Sequence, residues 1–255
     1  MAMNKKEFDE ILYDYSKKIN IFERINKEAY LLDMKYIFTF KEYSIDDFLY
    51  TQENKSLFEI IQKINDKENM EAVDKFIQEK KLEMDKLKKF INNKNIAANQ
   101  INIHQGELTE EVKKEIEDLF FDFCQKYHPA VKMKVSKQEA NLYYNLRQAY
   151  FEDNFAMLDS LYNEYKKAFD VISFNESQYI EVAQYYYETS RGTDNQIYKM
   201  KHEYPLVKEN VFEDELSIAR EKSELRVHLN KLKEANKNLH KDIINLYGED
   251  INLIW

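Results

Sequence analysis

The sequence predicts an all-α protein, a helical bundle in which long coiled-coil-like helices flank a compact helical hairpin. Three observations carry this. The 255 residues include only 3 Gly and 2 Pro, the residues on which tight turns, β-hairpins and phosphate-cradling loops depend. Charged residues make up 33% of the chain, enough to solvate one face of every helix. Apolar residues recur at intervals of three and four, the helical period. Asp and Glu outnumber Lys and Arg by 47 to 38, which disfavours a general hold on nucleic-acid phosphates. A single Cys124 cannot form an internal disulfide, no apolar run approaches the roughly 20 residues of a membrane span, and the start MAMNKKEFDE lacks a signal-peptide core. These features point to a cytoplasmic address with no membrane contact.

Three consecutive regions are expected: an N-terminal helical and coiled-coil region over 1–106, a compact module over 107–170, and C-terminal helices over 171–255. The first opens on a stripe of Phe8, Ile11, Tyr15, Ile19, Phe22 and Ile25. The run YLLDMKYIFTF that follows is compatible with a buried helix or a strand. Ser44 with Asp47 has the spacing of a capping box opening a short helix. From Met70 onward Val73, Ile77, Met84, Leu87 and Ile91 form a seam, with Lys80 at the one position that should be apolar.

A second seam holds Ile218, Leu225, Leu229, Leu232, Leu239, Ile243 and Leu246, with Lys222 and Asn236 as polar insertions. Residues 211–247 would make a helix about 55 Å long, ended by Gly248. An Asn buried in such a seam fixes register and pairing state, so Asn236 is a candidate specifier of a partner helix. The spacing leaves open whether the two seams pair within one chain or across a homodimer. Ile251, Leu253, Ile254 and Trp255 form an apolar tail expected to dock on the chain's own core.

Between the seams, Thr109 is placed to cap a helix whose apolar face is Val112, Ile116, Leu119, Phe120 and Phe123 and which stops at His128-Pro129. Ser136 and Glu139 form a capping box for EANLYYNLRQAYFED, and Asp153 or Asn154 caps FAMLDSLYNEYKKAF. Asn175 with Gln178 opens a further helix, closing near Gly192, so that RGTDNQ (191–196) is expected as an exposed hinge.

The helix carrying Lys113, Lys114 and Lys126, then KYHPAVKMKVSKQEA, then LYYNLRQAYFEDN, resembles helix II, the His-Pro-Asp loop and helix III of J-domains, the DnaJ-type co-chaperones. The match covers about residues 107 to 152. It is closest to compact J-like modules of bacterial proteins with a coiled-coil-rich region before the J segment and an acidic-Asn turn after it, here Glu152-Asp153-Asn154. The resemblance implies an antiparallel helix pair whose loop and basic flank meet the acidic surface of a DnaK-type ATPase. On that basis His128, Pro129, Ala130, Lys126, Lys132, Lys134 and Lys137 are the expected partner-binding residues, on an exposed face. Ala130 stands where the family has its acid, and a methyl group neither accepts a hydrogen bond nor carries charge.

Other chemistry is thin. Cys124 and His128 are four apart on one helical face, but His104, His202, His228 and His240 have no further ligand at metal spacing. The clusters Tyr143-Tyr144 and Tyr185-Tyr186-Tyr187 point around their helices and not along one stacking platform, which suits packing more than base binding. No cofactor is indicated. The function expected is that of a non-enzymatic protein-protein interaction protein: an adaptor, a scaffold or a degenerate J-domain co-chaperone. Two alternatives stand beside it: an active co-chaperone whose acid at position 130 has been replaced, and an acidic helical inhibitor or regulator of a nucleoprotein.

Overall fold

The computed structural model describes residues 3–66 and 69–254, and among them there is no strand. The helices are α1 (Lys5–Asn65), α2 (Met70–Glu107), α3 (Glu110–Tyr127), α4 (Pro129–Lys132), α5 (Lys137–Phe151), α6 (Phe155–Ala168), α7 (Tyr179–His202) and α8 (Glu215–Tyr247), with short 3-10 turns at Glu176–Gln178 and Leu206–Phe212. They form two compact units, Met1–Asp33 with Ile103–Glu209, and Met34–Asn102 with Asn210–Trp255. The regions read as consecutive along the chain are therefore interleaved in the fold. None of these helices is long and apolar enough to cross a membrane.

Local chemistry explains most of the boundaries. Asn4 and Glu7 exchange bonds at the start of α1, each side chain accepting the other's backbone N–H at 3.0 Å. Thr109 caps α3 by accepting from Val112, and Ser136 with Glu139 forms the full capping box of α5. Asn154, not Asp153, caps α6. Asp214 caps α8, and Gly248 closes it in the left-handed region at φ 96°, where a side chain would be strained.

YLLDMKYIFTF takes the helical of its two readings. Three expectations are corrected. Ser44 and Asp47 lie inside α1 and not at a helix start. The only break in α1 is a kink at Phe40 (φ −115°, ψ 19°), whose ring is fully buried. The segment 191–196 is no hinge: α7 runs through it to His202, and Thr193 within it is buried. The long C-terminal helix starts at Glu215, not at residue 211, since Leu206–Phe212 turns as a 3-10 segment.

In the second unit an aliphatic core joins Leu57 and Ile60 of α1, Val73, Ile77 and Met84 of α2, Ile243 of α8, and the tail residues Ile251 and Leu253. Ile243 of α8 thus shares this core with Val73, Ile77 and Met84 of α2. Ile254 is also buried, and Trp255 lies outside the described residues. Met70 is exposed, while the buried face of α2 runs on to Ala98 and Ile101. Lys80 reaches Glu59 at 2.8 Å and Glu83 at 3.1 Å, which satisfies the ammonium at the seam's polar position.

The first unit is aromatic. Phe120, Phe123, Tyr127, Tyr150, Tyr162 and Tyr165 fill the space between α3, α5 and α6. Phe123 is the hub, fully buried and in ring contact with Phe120, Tyr127, His128, Tyr143, Tyr162 and Tyr165. A neighbouring cluster joins Phe8, Tyr15 and Ile19 of α1 to Val131 and to Tyr179, Val182 and Tyr186 of α7.

Candidate functional site

The His-Pro segment lies between α3 and α5, where the sequence places it, but its geometry differs from the exposed loop expected. His128 is 4% exposed. It ends α3 and caps the single turn of α4: its Nδ1 accepts the Ala130 N–H at 3.1 Å. Pro129 occupies the first helical position of that turn, where a missing N–H costs nothing. Since Nδ1 is the acceptor, Nε2 carries the ring hydrogen and donates to the Tyr143 hydroxyl at 2.8 Å.

The chain of bonds continues across the unit. The Tyr143 hydroxyl donates to Glu23 Oε1 at 3.1 Å, and Arg147 Nε donates to Glu23 Oε2 at 2.5 Å. Glu23 is buried, and that burial raises its carboxyl pKa against the opposing pull of Arg147 and of the Tyr143 hydrogen bond. Burial, reinforced by Arg147, lowers His128 to about 3. Both ring nitrogens of His128 are engaged, which leaves no lone pair to act as a general base. Cys124 is completely buried in the aromatic core, and burial pushes its thiol well above the ordinary range, away from nucleophilic use. Among the described residues no group of three or more His, Cys, Asp or Glu side chains is disposed to hold a metal.

The basic residues divide by surroundings. Lys126 is exposed and pairs with Asp122 at 2.5 Å, one turn back. Lys132 pairs with the buried Glu139 at 2.7 Å, the same carboxylate that closes the capping box of α5. Lys134 and Lys137 are exposed, and Ala130 is half-buried against the cluster around Tyr15. The expectation that His128 stands on the contact face is thus corrected. The ring faces inward on two internal hydrogen-bond partners, the Ala130 N–H and the Tyr143 hydroxyl, while Lys134 and Lys137 face solvent. Two bonds hold the loop in place, from the Tyr186 hydroxyl to Val131 O at 2.5 Å and from Ile172 N to Lys126 O at 2.8 Å.

The turn Glu152-Asp153-Asn154 is also explained. Asp153 adopts φ 53° and is buried. Its carboxylate receives Lys27 Nζ and Gln105 Nε2, each at 2.6 Å, while His104 Nε2 lies 3.1 Å from its carbonyl oxygen. Lys27 also reaches Glu117 at 2.8 Å and lies over the Tyr150 ring. The sequence reading missed Glu23 and Lys27 as partners. The stripe continued through Phe22 and Ile25, which left these two charges beside it with no signal of burial.

In the second unit, Leu229, Asn236 and Ile243 are buried, and Leu225, Leu232 and Leu239 half-buried. The polar insertion is shifted by one: Lys222 is exposed and Glu221 is buried, accepting from the Tyr36 hydroxyl at 2.5 Å. Leu246 is exposed, and Tyr247 takes its place. Asn236 Nδ2 donates to Glu53 Oε2 at 2.8 Å and to Asn54 Oδ1 at 2.9 Å, both on α1 of its own chain. The other Glu53 oxygen accepts the backbone N–H groups of Leu253 and Ile254, at 3.0 and 3.1 Å.

No known family model, curated protein or solved structure matches the chain.

Proposed function

We propose that the chain is a non-enzymatic interaction protein, a degenerate J-like co-chaperone or adaptor that works through protein contacts made by the loop after His128. The observation that carries this is the division of labour in the segment 126–139. His128 and Glu139 are spent on fixing the loop, while Lys126, Lys134 and Lys137 remain at the surface around it. Such a basic rim attracts an acidic protein surface over a distance set by ionic strength. The saturated hydrogen bonding of His128 and the raised Cys124 thiol support a role without chemistry of its own.

A DnaK-type ATPase is the partner the resemblance suggests. The test measures binding and ATPase stimulation by the native chain, by Ala130→Asp, and by Lys134→Glu combined with Lys137→Glu. Native protein is expected to bind without stimulating hydrolysis, and the double charge reversal to weaken binding about tenfold at low salt. Stimulation gained only with Ala130→Asp would identify a J-module silenced at one residue. Absence of salt-sensitive binding by every version would sink the chaperone reading.

A further inference from the structure

The segment after α8 is held as a peptide ligand is held. Residues 249–254 form neither helix nor strand, and among the described residues none of them makes a backbone–backbone hydrogen bond. A segment without such a ladder opens locally at a lower free energy than the fold as a whole. Side-chain contacts keep it in place. Ile251 and Leu253 are buried in one cluster with Leu57 and Ile60 of α1, Val73 of α2 and Ile243 of α8, whereas Asn252 between them is exposed. Nearer to α8, Asp250 meets His240 Nδ1 at 2.6 Å.

The polar part of the grip is a single carboxylate. Glu53, 1% exposed, accepts Asn236 Nδ2 on Oε2 at 2.8 Å. Its Oε1 accepts the N–H groups of Leu253 and Ile254 at 3.0 and 3.1 Å, while His240 Nε2 stands at 4.0 Å, beyond hydrogen-bond reach. Among the described residues the helices therefore supply Oε1 with no donor of their own, and a segment lying in the trough completes it. Two consecutive N–H groups reach one oxygen because the chain bends there: Asn252 Oδ1 also accepts the Ile254 N–H, at 3.1 Å, in an Asx turn.

We infer that the trough beneath this tail is a recognition site for a segment of a partner protein with the same pattern, apolar, Asn or Asp, apolar, apolar, and that the tail is its internal occupant. The first and third side chains of such a segment fill the aliphatic cluster, and its Asx turn brings two backbone N–H groups to Glu53. Proline at the third or fourth position has no N–H to offer and is excluded. The docked tail lowers the apparent affinity by the fraction of molecules in which the trough is open. The site belongs to the second unit and shares no residue with the loop 126–139, so it stands or falls separately from the function proposed above.

Fluorescence anisotropy of the labelled peptide EDINLI-amide, the sequence of residues 249–254, tests this on the full chain. Leu253→Asp puts a charge where the aliphatic cluster closes and undocks the tail, leaving the trough's own residues unchanged. This variant should bind the peptide about tenfold or more tightly than the native chain. The same peptide N-methylated at its Leu and second Ile amides keeps every side chain and loses both donors, and should bind about tenfold more weakly. In the native chain, excess peptide should speed hydrogen exchange at the Leu253 and Ile254 N–H groups and leave that of Ile243 unchanged, a readout that decides the matter even if Leu253→Asp fails to fold. No saturable binding to the folded variant, equal affinity for native chain and variant, equal binding of the methylated peptide, or tail exchange indifferent to the peptide would overturn the assignment.

Discussion

The two units bury their polar atoms in contrasting ways. In the second, an aliphatic core of Leu57, Ile60, Val73, Ile77, Met84 and Ile243 is accompanied by two buried acids, Glu53, which gathers Asn236 and two backbone N–H groups of the tail, and Glu221, which accepts from the Tyr36 hydroxyl. In the first, the core is built from Phe and Tyr, and polar tips tie it together: Tyr143 and Arg147 to Glu23, Tyr150 to Glu117, Tyr162 to Asp122. Aliphatic packing tolerates small shifts of volume, whereas a ring with a hydroxyl must satisfy shape and hydrogen bond together. The first unit should therefore be the more brittle.

The largest test of that contrast is Phe123→Ala, which empties the aromatic hub. It should cost about 3–5 kcal/mol in urea unfolding, more than Ile60→Val in the aliphatic core, expected near 0.5–1.5 kcal/mol. A cost for Phe123→Ala no greater than that for Ile60→Val would mean that the aromatic cluster repacks freely. Next in size is Glu53→Ala. It strands the N–H groups of Leu253 and Ile254, at about 1–3 kcal/mol each if neither finds water, and limited proteolysis should release the tail first.

A pH effect comes third and belongs to the first unit. His128 is held neutral with its pKa lowered to about 3 from an ordinary 6.5. The unfolded chain takes up this proton first, so the contribution of His128 is complete above about pH 6.5 and is lost as pH falls toward 3, by about 1.4 kcal/mol per unit. Glu23 acts in the opposite direction: its raised carboxyl binds a proton in the fold before it does in the unfolded chain, which offsets part of the loss in acid. Between pH 7 and pH 5 the His128 share should amount to about 2 kcal/mol. His128→Gln should flatten the slope, and a slope that persists unchanged would place its origin elsewhere. The smallest effect is a gain. Gly106 and Gly192 sit inside helices with open space at Cβ, so alanine at either should add up to about 1 kcal/mol, read as a rise in the thermal midpoint.

The same contrast explains what was legible in the sequence. Val73, Ile77, Met84, Leu229 and Ile243 announce their burial by spacing alone, and Thr109, Ser136 and Gly248 announce helix ends by residue type. The polar insertion of α8 was misplaced by one residue because Lys222 and Glu221 are equally foreign to an apolar stripe. The distant Tyr36 hydroxyl bonds the buried one, Glu221. His128 was placed correctly in the chain and wrongly in space, since the partners that turn its ring inward, Tyr143 and through it Glu23, lie 15 and 105 residues away. The hinge at 191–196 was misread from Gly192, whose conformational freedom is overridden by the buried Thr193 on the same turn. Periodicity reports which face of a helix is apolar and says nothing about which remote side chain will complete a polar pair.

The interleaving of the two units bears on how the chain is made. The stripe of Phe8, Tyr15 and Ile19 is covered in the finished fold by residues as late as Tyr186, so on a ribosome adding about 5–20 residues per second it stays without its mate for on the order of 10 s. During biosynthesis these apolar side chains therefore stay uncovered for that interval, and neither unit can close before its late members, Tyr186 in the first and Ile243 in the second, have been translated.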